Sequence, residues 1–197
     1  MGQKNDLIIT GLMAISDFVF SAEFVEDLAR RVSTICLRFD KLNGNQEVWE
    51  KTLDTLYGSR IKPNTIVSNQ SWNRWNWREE LLRMLDPIQP GYVLFLDSDE
   101  KYDSNFDDDF TCFQEKGADI MMFDYEMITE DGRQVRKYPG ARHCKAFRWT
   151  QGISYIPYQG YAKPNFPNDE IVFLAKSKIQ HYCFFTKKME KTKLLHK

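Results

Sequence analysis

The chain has 197 residues, 42% hydrophobic and 28% charged, with 27 Lys+Arg against 28 Asp+Glu. That length suits one domain, residues 1–197, able to bury a core without a disulfide or metal staple. The composition excludes a collagenous, disordered or disulfide-knotted chain, and a net charge of −1 supplies no field that steers it onto nucleic acid.

In chain order, short apolar runs alternate with amphipathic ones. Leu7–Thr10 is a β-rich run, and the longer apolar stretch Leu7–Phe20, broken by Asp17, reads as buried strand rather than signal peptide. Ala22–Arg31 places Phe24, Val25, Leu28 and Ala29 at helical spacing. Thr34–Phe39 reads as a strand stopped by Asp40, and Gln46–Tyr57 as a helix with Val48, Trp49, Leu53 and Leu56 on one face. Thr65–Val67 is a short strand, and Trp75–Leu85 is a helix ending before Asp86-Pro87. Tyr92–Leu96 is a continuous apolar run, the pattern of a strand covered on both faces. Beyond it come a helix over Asn105–Glu115, a strand over Asp119–Met127, a turn at Glu130–Arg133 and a hairpin arm over Gln134–Lys137. Cys144–Trp149 reads as a strand. Gln151–Asn168, with Pro157, Pro164 and Pro167, reads as loop. Ile171–Ala175 and Lys178–Phe184 read as two strands, and Thr186–Leu195 as a basic helix whose lysines suit a solvated face or peripheral contact with an anionic membrane.

Strand–helix–strand alternation predicts a Rossmann-like α/β fold. Its central sheet is mostly parallel with helices on both faces, and a short antiparallel portion follows toward the C-terminus. Ligands of such sheets bind beyond the carboxyl ends of the strands, which here are Thr10, Asp40, Ser68-Asn69 and Asp97-Ser98-Asp99. Asp97, Asp99 and Glu100 crowd three carboxylates into four residues, and they repel one another unless a cation lies between them. A D-x-D on a tight turn offers the oxygen ligands that a hard divalent ion wants. Asp107–Asp109 fit instead the acidic first turn of a helix.

Gly91-Tyr92-Val93-Leu94-Phe95-Leu96-Asp97-Ser98-Asp99-Glu100 resembles the D-x-D segment of GT-A-fold glycosyltransferases of the family 2 type, over roughly residues 5–130. The resemblance implies a GT-A-like fold with a nucleotide-sugar-binding half at 1–100 and an acceptor and metal-completing half at 101–197. It implies that Asp97 and Asp99 hold Mn²⁺ or Mg²⁺ on the diphosphate of a UDP-sugar, with Thr10 and Ser98 beside the donor. Asp40 matches the residue that reads the base. Arg78 matches a phosphate-contacting arginine, although Glu79 stands where the family has asparagine. His181, in Gln180-His181-Tyr182, matches the C-terminal histidine that many such enzymes bring to the metal.

An inverting hexosyl-type transfer needs a general base for the acceptor hydroxyl, and the candidates are Asp124, Glu126, Asp169 and Glu170. The acceptor, whether glycan, protein or lipid-linked, is not legible. Arg78 equally suits an amphipathic helix surface, and His181 a strand histidine in the core. His143, beside Arg142 and Lys145, reads as a surface residue, and Trp72, Trp75, Trp77 and Trp149 as core or sugar-stacking rings. Two other classes stay open: a non-catalytic α/β binding module in which Asp97-Ser98-Asp99 is only a turn, and a metal-dependent nucleotidyltransferase. No G-x-x-x-x-G-K phosphate loop supports the latter. Four scattered cysteines without a CxxC pair, and no run of about 20 apolar residues, lead to an expected cytoplasmic location.

Overall fold

A computed structural model describes residues 7–12, 22–32, 34–42, 44–69, 76–97, 100–128, 134–137, 142–158, 161–166 and 169–182. The first half runs β1 (Leu7–Leu12), α1 (Ala22–Arg31), β2 (Thr34–Asp40), α2 (Gln46–Tyr57), β3 (Lys62–Ser68), α3 (Asn76–Arg83) and β4 (Tyr92–Asp97). The second runs β5 (Glu100–Tyr102), α4 (Phe106–Glu115), β6 (Ile120–Ile128), β7 (Gln134–Lys137), β8 (His143–Arg148), β9 (Ser154–Tyr158), β10 (Tyr161–Asn165) and β11 (Val172–Tyr182).

The main sheet has the order β3-β2-β1-β4-β8-β6-β11-β5, with β7 also paired to β6. Strands β1 to β4 pair in parallel, as do β6 and β11. Strand β8 lies antiparallel to both β4 and β6. Strands β4, β6 and β11 therefore point the same way, and their carboxyl ends share one rim of the sheet. The fold is the mixed α/β type expected, with its antiparallel strands in the C-terminal half.

Alternation along the strands divides the core between two faces. Ile35, Leu37, Phe39, Leu94, Met121 and Phe123 join Val25, Leu28, Val48, Trp49 and Leu56 of α1 and α2 and Phe106 and Phe113 of α4. Cys36, Val93, Phe95 and Phe147 face the other way, onto Leu81 and Leu82 of α3, Leu85 of the turn after it, and the chain entering β9. Helix α2 starts where the Asn45 side chain accepts from the backbone N–H of Glu47 at 3.0 Å and Val48 at 3.3 Å, which satisfies two otherwise orphaned donors. Helix α4 stops at Gly117, whose φ of +59° favours glycine.

The connection from Asp97 to Glu100 fixes the shape of the sheet. Four strand spacings separate β4 from β5, which is about 19 Å in a flat sheet. Three residues span at most about 11 Å. The sheet must therefore curl, and the Tyr102 hydroxyl of β5 donates to the Phe95 carbonyl of β4 at 3.1 Å.

Two expectations are corrected, and one strand was not foreseen. Residues 151–168, read as loop, contain the β9–β10 hairpin, with Tyr158 opposite Tyr161 and Pro164 opposite Tyr155. Proline is tolerated because a two-stranded ribbon has only edge strands. Ile171–Ala175 and Lys178–Phe184 are one strand, β11, whose register shifts between Leu174 and Lys178; the bulge breaks the alternation. Strand β5, three residues long, is too short to leave a periodic signal. The turn at 130–133 and the basic helix at 186–195 lie outside the described residues. No helix among the described residues is long and apolar enough to cross a membrane.

Candidate functional site

The rim formed by the carboxyl ends of β1, β2, β3, β4, β6 and β11 gathers most of the sequence candidates. Thr10 lies in β1, its backbone in register with Cys36 and Phe95. Asp97 closes β4 opposite Leu12. Ser98 and Asp99 lie outside the described residues, as do Trp72 and Trp75. His181 lies near the end of β11, where its backbone pairs with Glu100 of β5 and Met127 of β6. Backbone register thus sets the strand bearing His181 beside the residue that follows Asp99.

Asp40 ends β2 opposite Ser68 of β3 and is fully buried. Its Oδ1 accepts from the Leu42 backbone N–H at 2.9 Å, and its carbonyl accepts from Gly44 N–H at 2.7 Å. Glycine is required there: a Cβ at residue 44 would lie 2.5 Å from both the Asp40 carbonyl oxygen and Phe39 Cε2. The Phe39 ring is itself stacked on Trp49 at 5.0 Å. Beneath this turn, fully buried Arg38 is ion-paired with Glu80 of α3, whose other oxygen accepts from the Ser68 hydroxyl at 3.0 Å.

Arg78, half-buried on α3, lies over the Phe95 ring at 5.6 Å and the Tyr155 ring at 6.0 Å. Helix α3 is tied to the hairpin where Glu79 Oε1 accepts from Tyr155 N–H at 2.7 Å. Burial pushes the Tyr155 hydroxyl well above its ordinary range.

The base candidates fall into two groups. Asp124 is exposed and paired with Arg142 at 3.4 Å. Glu126 is bound to Lys178 at 2.6 Å, and that hydrogen bond raises the Lys178 pKa. Both lie on β6 toward the rim. Asp169 and Glu170 precede β11, whose Val172 is in register with Ile120 at the start of β6. Their backbone is therefore at the opposite end of the sheet, and Glu170 is paired with Lys163.

Sequence reasoning missed a polar network at the rim. Glu100 is 1% exposed; its Oε1 meets Lys145 Nζ at 2.7 Å and accepts from the Tyr125 hydroxyl at 2.9 Å. One of the three crowded carboxylates is thus neutralised from within the protein. His143 is buried, stacked on Tyr125 at 4.3 Å, and not a surface residue, because it faces Phe123 across β8 and β6. The available signals were Arg38 and Lys145, each interrupting an apolar strand run where a buried charge needs a partner. Asp107 and Asp109 are structural: Asp107 accepts from Arg31 at 2.9 Å, and buried Asp109 accepts from Ser177 N–H at 2.6 Å. Among the described residues, no group of three or more His, Cys, Asp and Glu side chains forms a metal cluster.

No family model and no curated protein matches the sequence. Solved structures resemble the fold at low identity. The chain is 16% identical to S. aureus TarS 1–349, covering 67% of this chain and 38% of that one at a TM-score of 0.48. It is 18% identical to the same protein in complex with UDP-GlcNAc, covering 67% and 37% at 0.44. It is 6% identical to a putative glucose-1-phosphate thymidylyltransferase from Bacillus anthracis, covering 72% and 68% at 0.45. The chain spans under two fifths of the TarS structures' length.

Proposed function

We propose that the chain is a metal-dependent glycosyltransferase of the GT-A type, which moves a sugar from a nucleotide diphosphate, UDP in the first instance, to an acceptor hydroxyl. The supporting observation is the placement of Asp97-Ser98-Asp99 directly after buried β4, at the ligand end of the parallel half. The donor set fits the cation: Asp97 and Asp99 offer hard oxygens and His181 an imidazole, a set suited to Mn²⁺ or Mg²⁺. Register brings the strand of His181 to the residue next to Asp99.

When bound, the cation supplies Lewis-acid stabilisation of the departing diphosphate. The chain's own residues do the rest. Asp40, at the end of β2, reads the base once nucleotide binding uncovers its carboxylate, which is fully buried without it, and Thr10 and Ser98 contact the donor. Arg78 guanidinium, held over two aromatic rings beside β4, contacts phosphate oxygens. The acceptor is deprotonated by Asp124 or Glu126, the two candidates on the rim; Asp169 and Glu170, at the opposite end of the sheet, are out of reach of an acceptor held there. Glu126 is held by Lys178 at 2.6 Å, so it must leave that ion pair before it can meet an acceptor hydroxyl. Transfer with inversion needs only one such base.

Thermal unfolding with and without Mn²⁺ and UDP tests this. The pair is expected to raise the melting temperature together, and Asp99→Asn to abolish the shift. A chain indifferent to every nucleotide diphosphate with metal refutes the proposal. Release of pyrophosphate in place of a nucleoside diphosphate assigns nucleotidyl transfer instead.

A further inference from the structure

Strand β11 is covered unevenly along its length. One side pairs with β6 from Val172 to Tyr182. On the other side β5 reaches only Ile179, Gln180 and His181, and Asp103 adds bonds to the Lys178 backbone. Among the described residues no strand pairs with the outer edge of Val172–Lys176. The Ile171 carbonyl accepts from Asp119 and Ile120 N–H on the β6 side, so alternation along the strand turns the backbone groups of Val172 and Leu174 outward. The side chains there are bare as well: Ile171, Val172 and Leu174 are 57%, 43% and 51% exposed, whereas Ile120 and Met122, in register with the last two on β6, are buried. Phe173 faces the other way, against Phe113 of α4 at 6.2 Å. An apolar sheet face that is closed over β6 thus runs open to the edge of the sheet, and an edge of that kind is a template for pairing with another chain.

We propose that a second copy of this chain pairs here: the outer edges of two β11 strands meet antiparallel about a two-fold axis at Phe173, joining two sheets into one. The segment is self-complementary under that operation, as a two-fold interface requires. Val172 of each copy stands opposite Leu174 of the other on the bare face, and exposed Lys176 stands opposite Glu170 of the other copy. Glu170, which is ion-paired with Lys163 of its own chain, then lies between two lysines. The charges fix the register. A slip of two residues sets Lys176 against Val172 or Glu170 against Leu174, and a slip of one throws the apolar side chains onto opposite faces. Val172 is in register with the first residue of β6, so the shared edge lies at the end of the sheet away from the carboxyl rim, and both rims stay open in the dimer. A ribbon of about six residues a side is about 20 Å long, an interface of the small, transient class.

Sedimentation equilibrium of the full chain between about 1 and 200 µM tests this, the range in which small interfaces form and dissociate. The mass is expected to rise from 23.3 kDa toward double that value. Leu174→Lys, which sets a charge on the edge, is expected to stay monomeric across the range while unfolding near the wild-type temperature. Lys176→Glu and Glu170→Lys each place like charges across the axis, and each alone is expected to be monomeric. An equimolar mixture of the two is expected to regain the dimer, because each change then faces its opposite. A wild-type chain that stays monomeric overturns the proposal and leaves the edge to some other partner. A dimer that survives Leu174→Lys is built on another face and overturns it as well. A dimer lost in Leu174→Lys but not regained in the mixture refutes the Glu170–Lys176 register. Should Glu170→Lys not fold beside Lys163, Lys176→Glu is compared with Lys176→Gln: a greater weakening by the acid supports the register, and equal weakening refutes it.

Discussion

The buried pair Arg38–Glu80 is the sharpest test of how the rim is held. Arg38 is 0% exposed and Glu80 15%. Arg38→Met removes the cation and leaves the Glu80 carboxylate with the Ser68 hydroxyl at 3.0 Å. Breaking a buried ion pair from one side costs about 3–5 kcal/mol, because the remaining charge stays desolvated. Glu80 keeps some access to water, which favours the lower figure, about 3 kcal/mol. In a chain of this size that lowers the melting temperature by about 6–12 °C. Replacing both partners, Arg38→Met with Glu80→Gln, removes the stranded charge, and the introduced amide oxygen still accepts from Ser68. The double variant is therefore expected to recover most of the loss, giving a favourable coupling of about 1–3 kcal/mol. Urea unfolding followed by circular dichroism measures all three variants. If the single and double variants lose the same stability, the charges are not coupled and the reasoning fails.

The remaining predictions follow from the same contacts. Gly44→Ala forces a methyl against a carbonyl and a stacked ring, each 2.5 Å away; it is expected to cost about 1–3 kcal/mol and to weaken UDP binding through Asp40, as calorimetry would read. A thiol reagent at pH 8, followed by peptide mapping, is expected to modify exposed Cys112 well before Cys36, whose thiol is buried and pushed up to about 12; comparable rates would refute it. Because that value lies above the ordinary 9.0, the contribution of Cys36 is whole below pH 9 and is lost as pH climbs toward about 12, so Cys36→Ala is expected to flatten that limb of the stability curve. Lys178 is likewise raised above 10.5 by Glu126; its contribution is whole below that value and fades above it, and Lys178→Met is expected to remove the fade.

Periodic segments were legible. Ala22–Arg31 and Gln46–Tyr57 were read to their observed ends, because each has a full apolar stripe. Tyr92–Leu96, the body of β4, was legible because burial on both faces leaves an unbroken apolar run. What could not be read depends on long-range partners. Strand β5 exists because β11 pairs with it, and nothing in Glu100-Lys101-Tyr102 announces that. The β9–β10 hairpin was hidden because prolines mark loops in sequence yet sit harmlessly on ribbon edges. At the site, the strand-end residues were found from topology alone. The contacts around them, Arg38–Glu80, Tyr125–Glu100 and Lys145–Glu100, were not, since each joins residues at least 25 apart.

The curl of the sheet explains why the site needs both halves of the chain. Strand β4 belongs to the parallel half, and β5 is the far edge of the other half. Only Ser98 and Asp99 separate them. Two residues thus connect a central strand, β4, to an edge strand, β5, four strand spacings away in the same sheet. Closure depends on contacts deep in the second half: Tyr102 packed on Phe106 and Phe123 at 4.3 and 5.5 Å, Asp109 catching the β11 bulge through Ser177, and Asp103 Oδ2 accepting from Lys178 N–H at 2.9 Å. A perturbation of any of these loosens β5 and β11 together. The first hundred residues carry the strand ends at Asp40, Ser68 and Asp97, but the curl that brings β4 near β5 is completed by the strands of the second hundred.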